Sequence, residues 1–149
     1  MVPCSFQCTL LHLAEDTDNC IEISTSAQII AKIVSFTTYK RDRNITAVEK
    51  LEITTSLMLV RKLASQTDEV GKILRQKITQ QRILFRNLLE VVCDSNRDEW
   101  KNEALQIISK LAQDEERSAE IGGIFIPKLL SIFLYREQAC IIAGEVSWL

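Results

Sequence analysis

The chain contains little glycine or proline, and it has no apolar run long enough to cross a bilayer. It holds 4 Gly and 2 Pro in 149 residues, with 46% hydrophobic and 26% charged residues. Scarce helix breakers argue against a disordered or strand-rich chain, and this length can bury a core as one domain. The strongest apolar run, 129–135, is far shorter than the roughly 18 residues that a membrane-spanning helix needs. We therefore expect a single all-α domain over 1–149.

Charge and cysteine content also carry few functional signals. The net charge of -2 indicates neither nucleic-acid nor membrane binding for the chain as a whole. The five Cys are an odd set without a C-x-x-C pair, which favours reduced thiols in an intracellular, cytoplasmic protein. No Lys or Arg precedes Lys32, so the apolar start is interpreted as a helix and not as a secretion signal.

Motifs for catalysis and metal binding are missing as well. The chain has one His and lacks G-x-S-x-G, a glycine-rich phosphate loop and H-E-x-x-H, so we expect neither an enzyme nor a cofactor. Cys4, Cys8 and His12 recur every four residues, but three successive helical turns span about 12 Å and cannot all reach one zinc ion. The favoured interpretation is a half-buried stripe without a metal.

The sequence does contain an internal repeat. A Leu-Ala pair is followed, ten residues after its Leu, by an Ile at three places: Leu13-Ala14 with Ile23, Leu63-Ala64 with Ile73, and Leu111-Ala112 with Ile121. The copies are 50 and 48 residues apart, and a shift of 48 also matches the apolar positions of 56–73 with those of 104–121. Repetition at this period indicates a stacked helical array with units 1–44, 45–94 and 95–149, and the alternative is an irregular helical bundle.

Hydrophobic periodicity predicts where the helices of this array lie. Helices are expected over 27–36, 46–65, 69–79, 82–93 and 98–113, with Trp100 packed between helices. Residues 39–44 are predicted to form a loop, and Gly122-Gly123 a break before a helix over 127–135. The apolar tail, 139–149, is expected either to fold back as a cap or to belong to a larger array.

The third copy of the repeat resembles an armadillo repeat. It carries Leu111-Ala112, then Ile121, Gly123, Ile126-Pro127 and Leu129-Leu130, where armadillo units end a helix in Leu/Ile-Ala and begin the next with Gly-Ala-Ile-Pro. Segments 16–20, 51–53 and 71–75 look like parts of a group of uncharacterised plant armadillo-repeat proteins. The resemblance implies a right-handed superhelix, an α-α solenoid of about three repeats, whose third helices line a peptide-binding groove. Those relatives are longer and some have apolar N-terminal segments, which implies a fragment of a longer array and membrane association for some relatives.

The resemblance also indicates which residues would line the groove. In importin-alpha, a member of the family, a Trp and an Asn four residues later hold the ligand on each third helix. The matching pairs are Cys8 with His12, Met58 with Lys62, and Gln106 with Lys110. None is Trp or Asn, so recognition of nuclear signals by that mechanism is not expected.

Helical phase independently places Gln106 and Lys110 on a solvent face, and Lys62 with Arg61 on the equivalent face one unit earlier. The sequence therefore predicts a non-enzymatic interaction scaffold whose groove binds an acidic or phosphorylated protein segment. Its groove candidates are His12, Met58, Arg61, Lys62, Gln106 and Lys110. The plainer alternative is an ordinary solvated helix face.

A second hypothesis comes from a stretch between Glu69 and Glu90 that has no acidic residue. It contains five cations that could bind a phosphate backbone or an anionic lipid surface: Lys72, Arg75, Lys77, Arg82 and Arg86. Acidic residues such as Asp114 offer charges nearby, so nucleic acid is the less favoured partner. A third alternative is a truncated fragment without its own binding activity that self-associates through its apolar tail.

Overall fold

The computed structural model describes residues 5–38, 44–93, 98–114, 118–123, 125–127 and 130, and every regular element among them is helical. The seven bounded helices are α1 Ser5–Leu13, α2 Thr17–Ser24, α3 Ala27–Ser35, α4 Ala47–Ala64, α5 Glu69–Thr79, α6 Arg82–Cys93 and α7 Asp98–Leu111. Residues 118–123 and 125–127 are also helical. The all-α class predicted from the sequence is confirmed.

The predicted helix positions agree closely with the observed ones. The helices α5 and α6 have the predicted bounds, and α3, α4 and α7 end within two residues of theirs. Capping explains this agreement at α4, because Thr46 and Glu49 form a capping box that fixes where the helix begins. At α5, the Asp68 carboxylate accepts a hydrogen bond from the Gly71 amide at 3.0 Å.

The break predicted at Gly122-Gly123 is wrong, since both glycines lie within helical residues 118–123. Glycine allows a turn without imposing one, and buried Ile121 and Phe125 on either side hold this segment against the core. The helix predicted over 127–135 lies largely outside the described residues. The predicted loop, except for Asn44, and the tail 139–149 lie outside them as well.

The helices pack in an order that follows the sequence repeat. Helix α1 packs on α4, and α4 packs on α7. In the same way α2 packs on α5, and α3 packs on α6. If α1 to α3 are taken as one unit and α4 to α6 as the next, helices at equivalent places contact one another. One continuous cluster of buried apolar side chains runs through all of these contacts.

The structure corrects the register of the repeat after its Leu-Ala pair. Ile73, which completes the second copy in sequence, is exposed, whereas Leu74 beside it is fully buried. In the other two copies the isoleucine that completes the pattern is itself buried, at Ile23 and at Ile121. The second copy therefore places its core residue one position later than the sequence pattern indicates.

Because Gly71 has no side chain, the turn between α4 and α5 can pass close to the backbone of α5. A Cβ atom at position 71 would overlap the backbone carbonyl group of Gln66. We expect Gly71→Ala to destabilise the fold by about 1–3 kcal/mol, the usual cost of overpacking. Thermal and urea unfolding of the variant would measure this loss. Gly123→Ala is the matched control, because a Cβ there meets no atom within 4 Å, and equal losses in the two variants would contradict the explanation.

Candidate functional site

The six groove candidates lie on the three helices that pack side by side. His12 is on α1, the residues Met58, Arg61 and Lys62 are on α4, and Gln106 and Lys110 are on α7. His12 and Gln106 are exposed, and the other four are partly buried. None of the six belongs to the buried core, and the packing order α1, α4, α7 places them on consecutive helices.

Two of the cations on this surface already have carboxylate partners. The Nε atom of Arg61 donates to both oxygens of Glu103, at 2.7 and 3.1 Å. The Lys62 ammonium lies 3.3 Å from an oxygen of Glu15. Each pair joins neighbouring helices or their turns, so the surface carries alternating charges instead of a continuous positive stripe.

The two ion pairs differ in how readily a partner could open them. Glu15 is mostly exposed, and exposed pairs contribute only about 0.2–1 kcal/mol because water and salt screen them. Arg61 and Glu103 are both partly buried, and the Nε atom of Arg61 donates to both carboxylate oxygens. A carboxylate on a partner could therefore displace Glu15 from Lys62 at low cost, while Arg61 stays engaged within the fold.

Arg75, a central residue of the alternative basic patch, does not lie on the surface. Lys72, Arg82 and Arg86 are exposed and Lys77 is partly buried, but Arg75 is buried. Its Nε and Nη2 atoms donate to the two oxygens of Asp114, at 3.0 and 3.3 Å. The Nη1 atom donates to the backbone carbonyl oxygens of Ala64 at 3.1 Å and Gln66 at 2.5 Å. Arg75 therefore joins α5 to the end of α4, to the turn between these helices and to the turn after α7, and its guanidinium is not part of an exposed basic surface.

Sequence reasoning assigned Arg75 to the surface although a signal for burial was present. Within α5, Arg75 follows Leu74 and lies one turn after Gly71 and one turn before Ile78, all of which are buried. This i, i+3, i+4, i+7 spacing places the guanidinium on the apolar side of the helix. Asp114 is 39 residues away, so the sequence offers it as a nearby charge but does not indicate that it pairs with Arg75 and makes burial of this charge tolerable.

Trp100 packs between helices as the sequence predicted. Its side chain is fully buried, and its indole Nε1 donates to the Thr54 hydroxyl of α4 at 2.8 Å. A buried indole needs such an acceptor, and the bond fixes how α7 lies on α4. Trp100 is thus part of the scaffold and offers no ring to a ligand.

Cys20 is buried and has no feature of a reactive thiol. Its Sγ donates to the carbonyl oxygen of Ala14 at 3.2 Å. Burial raises the pKa of the Cys20 thiol, and the nearby negative charge of Asp68 raises it further. Because the thiolate is the nucleophilic form, both the burial and the raised pKa disfavour reaction at this side chain. The described part of the chain contains no group of three or more His, Cys, Asp or Glu side chains placed to hold a metal ion.

Comparisons with known proteins do not assign this surface. The chain matches no protein-family model, and neither the curated proteins nor the solved structures gave a significant match. Among the helices that the structure describes, none has both the length and the apolar character needed to cross a membrane.

Proposed function

We propose that this protein is a non-enzymatic interaction scaffold, built as an armadillo-like, right-handed α-α solenoid of about three repeats. The observation that supports this most is the agreement between two independent patterns. The sequence repeats at steps of 50 and 48 residues, and the helices at equivalent places contact one another in chain order. Stacked units of this kind present long surfaces that suit extended partners.

The partner that fits the candidate surface best is an acidic or phosphorylated segment of another intracellular protein. Lys62 and Lys110 occupy equivalent places on α4 and α7, and His12 occupies the corresponding place on α1. An anionic side chain can replace Glu15 beside Lys62 and form a charge-assisted hydrogen bond there. Backbone groups of an extended segment would meet the polar side chain of Gln106.

The test of this proposal is a comparison of two charge-reversed variants. The full chain is titrated against labelled peptides of matched length that are acidic, phosphorylated, neutral or basic. We expect the acidic and phosphorylated peptides to bind, and Lys62→Glu with Lys110→Glu to weaken them at least about tenfold, or roughly 1.4 kcal/mol. The matched control is Lys72→Glu with Arg82→Glu, which makes the same change in net charge on exposed positions of α5 and α6.

The control separates the proposal from the alternative basic surface. Loss of binding in the first variant alone supports the groove on α1, α4 and α7. Equal affinity in the wild type and both variants would contradict it. Loss only in the control would transfer the site to α5 and α6, where labelled RNA and anionic vesicles then become the probes to test.

A further inference from the structure

Matched positions in the repeat show that one side of α7 is exposed where the equivalent side of α4 is buried. With the shift of 48, Leu57 of α4 matches Leu105 of α7. Leu57 has no exposed surface, whereas 40% of Leu105 is exposed. The register is sound along these two helices, because Leu59 and Val60 are buried as are their matches, Ile107 and Ile108. The difference at Leu57 and Leu105 therefore comes from their surroundings.

Helical phase places Leu57 on the side of α4 that faces α7. Leu57 is one helical turn before Arg61, and residues at i and i+4 share a face. Arg61 pairs with Glu103 of α7, so this face of α4 is the one turned towards the next unit. The equivalent face of α7, which contains Leu105, is turned towards the place of a following unit.

The opposite end of the row of helices has a corresponding exposed leucine. Leu13, Leu63 and Leu111 hold the same place in the three copies. Leu63 and Leu111 are at most 1% exposed, but Leu13 is 44% exposed. Leu111 is on α7, which packs on α4 of the preceding unit. Leu13 is on α1, which packs on α4 of the following unit. The cover at this position therefore comes from the preceding unit, and no described helix takes that place beside α1.

We propose that the Leu105 side of α7 docks the Leu13 side of α1 in a second copy of this chain. Within one molecule, α1 packs on α4 and α4 packs on α7. The proposed contact would repeat this packing between two molecules, with α7 of one copy against α1 of the other. Each end exposes a leucine at a place where the repeat normally supplies a neighbour, so the two ends are complementary to each other. Such a contact is heterologous and joins copies head to tail.

This inference rests on the repeat array proposed above but not on its peptide-binding surface. Its experiment measures mass and not peptide affinity, so the two proposals can fail separately. An array that does not self-associate could still bind peptides, and a self-associating array could still bind none.

The test uses light scattering coupled to size exclusion on the full chain over a range of concentrations. For wild-type protein we expect the mass to rise with concentration from that of the 17.0 kDa chain to at least about twice that value. Leu13→Asp and Leu105→Asp should each be monomeric alone, because each variant blocks one end. An equimolar mixture should form a dimer and no larger species, since only one pair of intact ends remains.

Control variants separate a specific contact from general stickiness. Ile73→Asp and Ile83→Asp replace apolar side chains that are similarly exposed on α5 and α6, and both should associate as the wild type does. Circular dichroism should show wild-type helicity for all four variants, because every changed side chain is at least 40% exposed.

Three outcomes would overturn the proposal. If the wild-type chain stays monomeric at all concentrations, the proposal is wrong. If either single variant still dimerises alone, or if the mixture stays monomeric, the contact is not head to tail through these two leucines.

Discussion

Replacing Arg75 by methionine is expected to lower the free energy of unfolding by about 3–5 kcal/mol, the range for removing one partner of a buried ion pair. Methionine keeps most of the length of the side chain but none of its donors. The Asp114 carboxylate would then remain largely buried without its guanidinium, and the carbonyl oxygens of Ala64 and Gln66 would lose a donor. The two carbonyl groups belong to the end of α4 and to the turn before α5, so this region should loosen together with the turn after α7.

Urea unfolding followed by circular dichroism measures this loss, and Arg82→Met is the matched control. Arg82 is exposed, and exposed substitutions usually change stability by less than about 0.5 kcal/mol. Asp114→Asn and the double variant complete a mutant cycle that isolates the coupling between the two side chains. A loss for Arg75→Met no larger than that of the control would show that the pair does not stabilise the fold.

Removal of the Trp100 side chain should destabilise the protein by about 3–5 kcal/mol, as truncation of a buried aromatic residue does. Trp100 is among the largest fully buried side chains of the described residues, and it lies in the contact between α4 and α7. Alanine at this position would leave a cavity between two long helices. It would also leave the Thr54 hydroxyl without the indole N–H as its donor.

Two further variants separate the causes of this loss. One tests the hydrogen bond, and the other compares truncation of a less buried side chain. Trp100→Phe retains an aromatic ring but removes the donor to Thr54, so its cost includes about 1 kcal/mol for the hydrogen bond. Leu105→Ala truncates a partly exposed apolar side chain of the same helix and should cost much less. Thermal unfolding of the three variants would rank them by their loss of stability. If Trp100→Ala and Leu105→Ala were equally stable, Trp100 would not be the main contact between these helices.

Periodicity was enough to predict most of the helices, because their limits are encoded locally. The bounds of α5 follow from Asp68 as its cap and from the spacing of Leu74 and Ile78, all within one short segment. The limits of α4 follow in the same way from the capping box of Thr46 and Glu49. Features that depend on a few adjacent residues can be read directly from such a sequence.

The pairings on the candidate surface could not be predicted, because they depend on contacts between distant parts of the chain. Lys62 meets Glu15, and Arg61 meets Glu103, across 47 and 42 residues. Sequence phase placed the cations on the solvent side of their helices but gave no information on the carboxylates opposite them. The same limit explains why the sequence pattern indicates Ile73 as the repeated residue although Leu74 occupies the core.

The hydrogen bonds of Arg75 also affect how the domain unfolds. In a chain of stacked units with only apolar contacts between neighbours, the last unit can detach while the others remain folded. Detachment of α7 and its following turn would here separate Asp114 from a guanidinium that stays held by Ala64 and Gln66 within the second unit. The amides of α7 and α5 should therefore exchange with solvent deuterium in one shared opening event, so that these two helices behave as one cooperative block.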